Sequence, residues 1–261
     1  MAEWLEALIL GIVQGITEFL PISSSGHLEI VKYLLGDDAL ASESLKMTII
    51  VHAATALSTL VVYRKDVANI GLGAFNDAEH RNYIGKIIVS MLPAVMVGLL
   101  FESEIELLFD KNLIMVSFML VITGLLLLFA HKSRFQTKSR KVSYSDAFFI
   151  GIAQAIAIMP GISRSGATIS AALLLGGDKS GSARFSFLMV IPLILGKMAK
   201  EILDGDFSTE QTDHFSLLVA FTAAFITGLI ACTLMIKIVR QSKLSYFAAY
   251  CFVVALILWF L

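Results

Sequence analysis

Charge is scarce in this chain. Asp, Glu, Lys and Arg make up 16% of its 261 residues, against about 25% in an average soluble domain. Cysteine is scarcer, with two residues. Cys232 and Cys251 both lie within apolar runs, so neither a disulfide framework nor a zinc site is indicated. Only four prolines are present, which excludes collagen-like and proline-rich disordered chains. The N-terminal Met-Ala-Glu-Trp-Leu-Glu has no basic stretch of the kind that opens a cleavable signal peptide, so none is expected. There is no G-x-x-x-x-G-K-[ST] run either, and a nucleotide-driven pump is unsupported. What the chain has in excess is hydrocarbon: 57% hydrophobic residues and a mean hydropathy of +0.82. A water-soluble globule of this size has no place to bury so much apolar side chain. The composition implies an all-α polytopic membrane protein, a single membrane domain over residues 1–261.

A spanning helix needs roughly 20 mostly apolar residues. Long apolar runs fall near 45–63, 84–101, 112–130, 181–203, 215–239 and 243–261. Two further segments, 1–36 and 144–176, are apolar and then meet proline, glycine and serine. They match each other at an offset of 140: Gly11, Ile12, Gln14, Ile16, Ile22, Ser23, Ser25 and Gly26 recur as Gly151, Ile152, Gln154, Ile156, Ile162, Ser163, Ser165 and Gly166. Eight identities around the two sharpest helix breaks signal a repeat. Interrupted segments at corresponding places in two halves point to a binding site near the bilayer midplane. Backbone that is not helical survives there only when protein or a watery cavity satisfies it.

Charge chooses between two topologies. If both broken segments are hairpins that return to the side they entered from, each half crosses three times and the second half is inverted. Lys and Arg then divide 14 against 5, with Arg164 between the faces. If both segments cross fully, the split is 11 against 8. Basic residues favour the cytoplasmic side, so the hairpin arrangement is preferred. The expected fold is an inverted repeat of six long transmembrane helices plus two re-entrant helical hairpins. Repeat one covers 1–131 and repeat two 144–261, joined by a basic cytoplasmic linker at 132–143. The N- and C-termini and the loops 36–46, 102–111 and 204–214 are expected outside. The first hairpin then dips from outside and the second from inside, so that their tips can meet.

Within the matched stretches 11–27 and 151–167 only Glu18 and Arg164 are formally charged. An ionisable group inside the membrane is expensive and marks either a function or a structural pair. Gln14 and Glu18 are four apart and share a helical face, and Gly11 and Gly15 would let another helix come close. Pro21 ends the helix, and Ser23, Ser24, Ser25, Gly26 and His27 form the turn. A carboxylate beside a histidine and hydroxyls can hold a divalent cation or move protons. In the second hairpin, Ser163, Arg164, Ser165 and Thr168 stand where a helix begins. Small hydroxyls, a guanidinium and free backbone N–H groups describe an oxyanion site, and Arg suits phosphate because its fork donates two hydrogen bonds at once. Ser163 and Ser165 could serve as helix caps as well. Elsewhere, His52 reads as interhelical glue, Glu29 and Lys32 as interfacial, Arg184 as a snorkelling side chain, and Pro93 and Pro192 as kinks.

At these residues the sequence resembles the undecaprenyl-diphosphate phosphatase family, also called the bacitracin-resistance family. The resemblance spans essentially the whole chain. Gln14-Gly-Ile-Thr-Glu18-Phe-Leu-Pro-Ile-Ser-Ser-Ser-Gly-His27 is similar to the family's first signature and Pro160-Gly-Ile-Ser-Arg-Ser-Gly-Ala-Thr168 to its second, with Ala183-Arg-Phe-Ser-Phe187 a further block. It implies an enzyme of the bacterial inner membrane that converts undecaprenyl diphosphate to undecaprenyl phosphate. That recycles the lipid carrier of cell-wall synthesis and gives bacitracin resistance. It also implies a divalent cation, Mg2+ or Ca2+, with Glu18 as its contact. Carried over residue by residue, the family's catalytic positions fall on Glu18, His27, Ser24 and Arg164, with Ser23 beside Ser24. Gln14, Ser163, Ser165 and Thr168 complete the expected phosphate-binding set. One departure matters: many members have a second glutamate where this chain has Gln14, so a mechanism needing two carboxylates on this helix is in doubt.

The expected partners are a polyprenyl diphosphate substrate and membrane lipids, with no nucleic acid; a homodimer is left open. The type 2 phosphatidic-acid phosphatases also use Ser-Gly-His and Ser-Arg. Here Ser25-Gly-His27 and Ser163-Arg164 lie far apart in the chain and no histidine follows Arg164 at short spacing, so that superfamily is not supported. The rival function is a polyprenyl-phosphate transporter or flippase using the same midplane site, which would release no phosphate. A membrane scaffold, with Glu18 and Arg164 as a staple, is the third reading.

Overall fold

A computed structural model describes residues 2–35, 44–108, 112–132, 140–203, 213–241 and 243–261. The expected loops 36–46, 102–111 and 204–214 and the linker 132–143 fall partly or wholly outside these residues. Every regular element among the described residues is helical. In chain order they are α1 (Glu3–Phe19), α2 (Ser24–Leu35), α3 (Ser44–Val62), α4 (Arg64–Gly73), α5 (Ala78–Leu100) and α6 (Glu102–Leu108). The second half of the chain adds α7 (Leu113–Lys132), α8 (Tyr144–Ile156), α9 (Arg164–Leu174), α10 (Lys179–Leu203), α11 (His214–Arg240) and α12 (Leu244–Leu258).

Local chemistry explains where the broken segments start and stop. Glu3 and Glu6 lie in the first turn of α1, where negative charge complements the helix dipole. The helix ends because Pro21 forces the residue before it out of the helical region: Leu20 is extended, at φ −71° and ψ 144°. The chain then turns through residues 20–23 and α2 packs back against α1. In the second segment α8 begins in a reciprocal cap, the Ser143 hydroxyl accepting from Asp146 N and the Asp146 carboxylate from Ser143 N. Asp146 also accepts two hydrogen bonds from Arg140, at 2.6 and 2.8 Å, and Arg140 donates a third to Leu175 O at 2.8 Å. The start of α8 and the end of α9 are thereby tied together. After α8 the chain turns through 157–163, and α9 packs back on α8.

Among the described residues four unbroken helices are long and apolar enough to cross a membrane: Ala78–Leu100, Leu113–Lys132, Lys179–Lys200 and His214–Val239. The apolar run at 45–63 forms α3, but it does not end there. Lys46–Val62 and Arg64–Gly73 form a pair bent by 73°, the bend falling where Arg64, Lys65 and Asp66 interrupt the hydrocarbon. The final apolar run yields a shorter helix, Leu244–Leu258. Pro93 and Pro192 lie inside α5 and α10, and both helices continue through them.

Each half of the chain clasps the other. The packing places α1 against α11 and α5 against α8, with α3 meeting α10 and α11, and α7 meeting α12. The approach of α1 to α11 depends on a missing side chain: a Cβ at Gly15 would sit 2.6 Å from Ala224 O and 2.9 Å from Gly228 N. Small residues let membrane helices come this close. Polarity is inverted relative to a soluble globule. Leu99, Ile114, Phe129, Leu218, Ile230 and Leu256 are exposed, while Gln14, Ser58, Ser90, Ser117, Ser170 and Ser182 are buried. Several buried hydroxyls join helices, Ser58 donating to Phe225 O and Ser117 to Ala255 O, each at 2.9 Å. Such bonds contribute about 0.6 kcal/mol apiece in a membrane protein.

Candidate active site

The two turns are built by the same device. In the first, Ser23 Oγ accepts from Gly26 N at 3.2 Å and lies 3.3 Å from Ser25 Oγ. In the second, Ser163 Oγ accepts from Gly166 N at 3.1 Å and lies 3.3 Å from Ser165 Oγ. Ser23 and Ser163 therefore satisfy backbone donors at the starts of α2 and α9. The left-handed step needed to turn the chain falls at different places, on Ser23 (φ 71°) in the first turn and Gly161 (φ 96°) in the second.

The tips touch. Ser165 donates to Leu20 O at 3.3 Å. A Cβ at Gly26 would lie 3.1 Å from the Gly161 Cα, which is room for glycine and little else. Two apolar helices hold the tips in register. Thr123 on α7 donates to Gly161 O at 3.1 Å and accepts from Ser163 N at 3.0 Å. Cys251 on α12 places its Sγ 3.8 Å from Pro21 O.

Across this junction the Glu18 carboxylate gathers three donors. Oε2 accepts from Gln14 Nε2 at 3.0 Å and from Ser24 Oγ at 2.7 Å. Oε1 accepts from Arg164 Nη2 and forms an ion pair with it. Glu18 is 7% exposed and Gln14 fully buried, and the Arg164 side chain is 18% exposed. A buried carboxylate needs such partners, since an unpaired one would be prohibitively desolvated. The spacing that put Gln14 above Glu18 on one helical face is realised as a direct bond.

His52 belongs to this neighbourhood. It lies on α3, which packs on α1, with Nδ1 2.7 Å from Thr48 O, and it interacts electrostatically with Glu18. The sequence shows only a histidine in an apolar run. His27 is turned another way. Its Nδ1 is 2.7 Å from Ser23 O and its Nε2 2.8 Å from Tyr250 OH. Thr168 faces its own helix and α10: its hydroxyl is 2.8 Å from Arg164 O and 2.5 Å from Ser186 Oγ. Arg184, read as snorkelling, has a partly exposed head group with two partners. It pairs with Asp66 at 2.6 Å and its guanidinium lies 5.5 Å from the centre of the Tyr83 ring.

A divalent cation would find hard oxygen donors at this centre. Gln14 Oε1 is buried and has no hydrogen-bond partner, and it belongs to the same amide that bonds Glu18. Among the described residues no group of three or more His, Cys, Asp or Glu could enclose an ion. One carboxylate and one amide oxygen fit a cation shared with a substrate's phosphates, the usual situation for Mg2+, and do not fit an all-protein cage.

Fold and site together define a polytopic helical membrane protein with a carboxylate–guanidinium centre buried between two serine–glycine turns. The chain belongs to the family described as bacitracin resistance protein BacA, whose profile matches residues 7–257. It is 58% identical over 253 residues to an undecaprenyl-diphosphatase of Christiangramia forsetii, covering 96% of this chain and 95% of that protein. It is 47% identical over 265 residues to an undecaprenyl-diphosphatase of Bacteroides fragilis, covering 98% and 97%. A third undecaprenyl-diphosphatase, from Methanococcus maripaludis, is 41% identical over 250 residues, covering 95% and 96%.

Proposed function

We propose that this chain is an undecaprenyl-diphosphatase, a hydrolase that removes the terminal phosphate of undecaprenyl diphosphate and returns undecaprenyl phosphate to cell-wall synthesis. The observation that carries the chemistry is the shared Glu18 carboxylate, with Arg164 on one oxygen and the Ser24 hydroxyl on the other. Glu18 is placed to take the Ser24 proton, which makes Oγ a nucleophile. Arg164 has five N–H donors; those not facing Glu18 are available to the terminal phosphate. Ser24 Oγ bonds to phosphorus as the bridging P–O bond breaks, and the lipid monophosphate departs with the bridging oxygen. Water then cleaves the phosphoserine, releasing inorganic phosphate and restoring Ser24. His27 lies three residues from Ser24, on the same face of α2, and handles the proton of that water. A divalent cation held by Glu18 and Gln14 Oε1 would offset the diphosphate's charge when bound.

Ser163, Ser165, Ser23 and Thr168 shape the cradle through the turns rather than by donating freely, since each hydroxyl has a partner in the fold. The exchanged packing of α1 on α11 and α5 on α8 supports an inverted repeat, 1–131 and 144–261, with two re-entrant hairpins. The basic excess around 132–143 supports a cytoplasmic linker in a bacterial inner membrane, with both termini outside.

Phosphate release from undecaprenyl diphosphate by detergent-purified protein, with and without EDTA, tests this reading. Turnover that requires divalent metal supports it; a folded, lipid-binding protein that releases no phosphate would be a carrier instead.

A further inference from the structure

His27 is the one member of the site whose ring is held by the last helix of the chain. Its Nδ1 lies 2.7 Å from Ser23 O. A carbonyl only accepts, so Nδ1 carries a hydrogen and Nε2 is the basic nitrogen of the neutral ring. Nε2 lies 2.8 Å from Tyr250 OH, and the two rings stack with centroids 5.6 Å apart and planes 12° from parallel. The register of α12 is fixed at the neighbouring residue, since Cys251 is buried with its Sγ against Pro21 O. Tyr250 itself is 41% exposed, so its position does not come from burial of the ring.

We infer that Tyr250 is a positioning residue for His27. A phenol is the partner this task requires, because it both donates and accepts. Facing neutral His27 the hydroxyl donates to Nε2. Once Nε2 has taken a proton, the phenol oxygen accepts from it, so the contact survives both halves of a proton transfer. Ser23 O holds the far side of the ring throughout. The ring thus stays fixed three residues from Ser24 with Nε2 as its defined basic nitrogen, and a proton reaches it through the Tyr250 hydroxyl, which passes on its own hydrogen as its oxygen takes the next. The assignment rests on His27 acting in phosphate release as proposed above.

Tyr250→Phe keeps the stacked ring and removes only the hydroxyl. It is expected to lower kcat about tenfold, the size of one lost hydrogen bond, with KM and the thermal midpoint nearly unchanged. Made in a His27→Asn background, the same change should alter kcat by less than about twofold, because coupled residues are not additive. Wild-type kcat in Tyr250→Phe, or losses that multiply in the double variant, would overturn the inference while leaving His27 in the mechanism. A His27→Asn variant with near-normal turnover would overturn both, and would place the failure in the reading of His27 itself.

Discussion

The first and second turns share a backbone scheme and differ in the side chains mounted on it. Both place a serine hydroxyl on the N–H three residues later, and both set two serine oxygens 3.3 Å apart. At the positions that carry charge they diverge. Glu18 has Ile158 as its counterpart, Ser24 has Arg164, and His27 has Ala167. Gln14 and Gln154 keep the same residue in opposite circumstances: Gln14 donates to Glu18, whereas both amide atoms of the buried Gln154 lack a partner. The repeat supplies a turn that can be buried, and divergence between the copies supplies an acid on one side and a guanidinium on the other. A symmetric pair of turns would place like charges together, which a low-dielectric site does not tolerate.

The strongest way to break this comparison is to remove its asymmetry. Glu18→Gln or Arg164→Ala should each reduce phosphate release by about 100-fold or more, the scale of losing a principal charge-stabilising or proton-transfer group. Measured on detergent-solubilised protein of normal helical content, near-normal turnover in either would contradict the assignment. Ser24→Ala should abolish capture of labelled phosphate on the protein during turnover. Labelling that persists at wild-type level would shift nucleophilic attack to another group.

Two subtler tests probe the second turn and a pair of equivalent positions. Gly161 is at φ 96°, and a Cβ there would sit 2.7 Å from Val116 O and 2.7 Å from the Met119 Cβ. Gly161→Ala should therefore destabilise the protein by about 1–3 kcal/mol or more, seen as a lower thermal midpoint. The smallest contrast is between the glutamines. Gln14→Leu removes a donor from the Glu18 carboxylate and should lower kcat about tenfold. Gln154→Leu removes an unsatisfied amide and should leave both stability and turnover within about twofold, because apolar replacement of a buried unpaired group is nearly neutral. Equal losses in the two variants would show that the halves are functionally equivalent at this position.

Much of this contrast is legible in the sequence, for physical reasons. At the turns the offset of 140 survives in Ser23, Ser25 and Gly26 because the turn constrains them sterically. Glu18 and Arg164 stand out because charge is rare in hydrocarbon, and their pairing across the tips follows from there being no other charge in the matched stretches 11–27 and 151–167. The residues that complete the site are camouflaged by the same logic. Tyr250, Thr123, Cys251 and His52 occur singly in apolar runs, where an aromatic or hydroxyl residue reads as packing and only its three-dimensional neighbour reveals its use. The bend at Tyr63 was hidden because hydropathy marks where hydrocarbon ends and not whether the helix resumes.

The central claim is that Glu18 and Arg164 act in phosphate chemistry and do more than staple the two turns together. Phosphate release from undecaprenyl diphosphate by the charge-swapped double variant Glu18→Arg, Arg164→Glu tests it most directly, beside the two single variants and with folding verified. The account predicts that the swap leaves turnover at the level of the single variants, because the carboxylate no longer faces Ser24. Recovery to near wild-type activity in the swapped protein would contradict it and return the pair to a structural role.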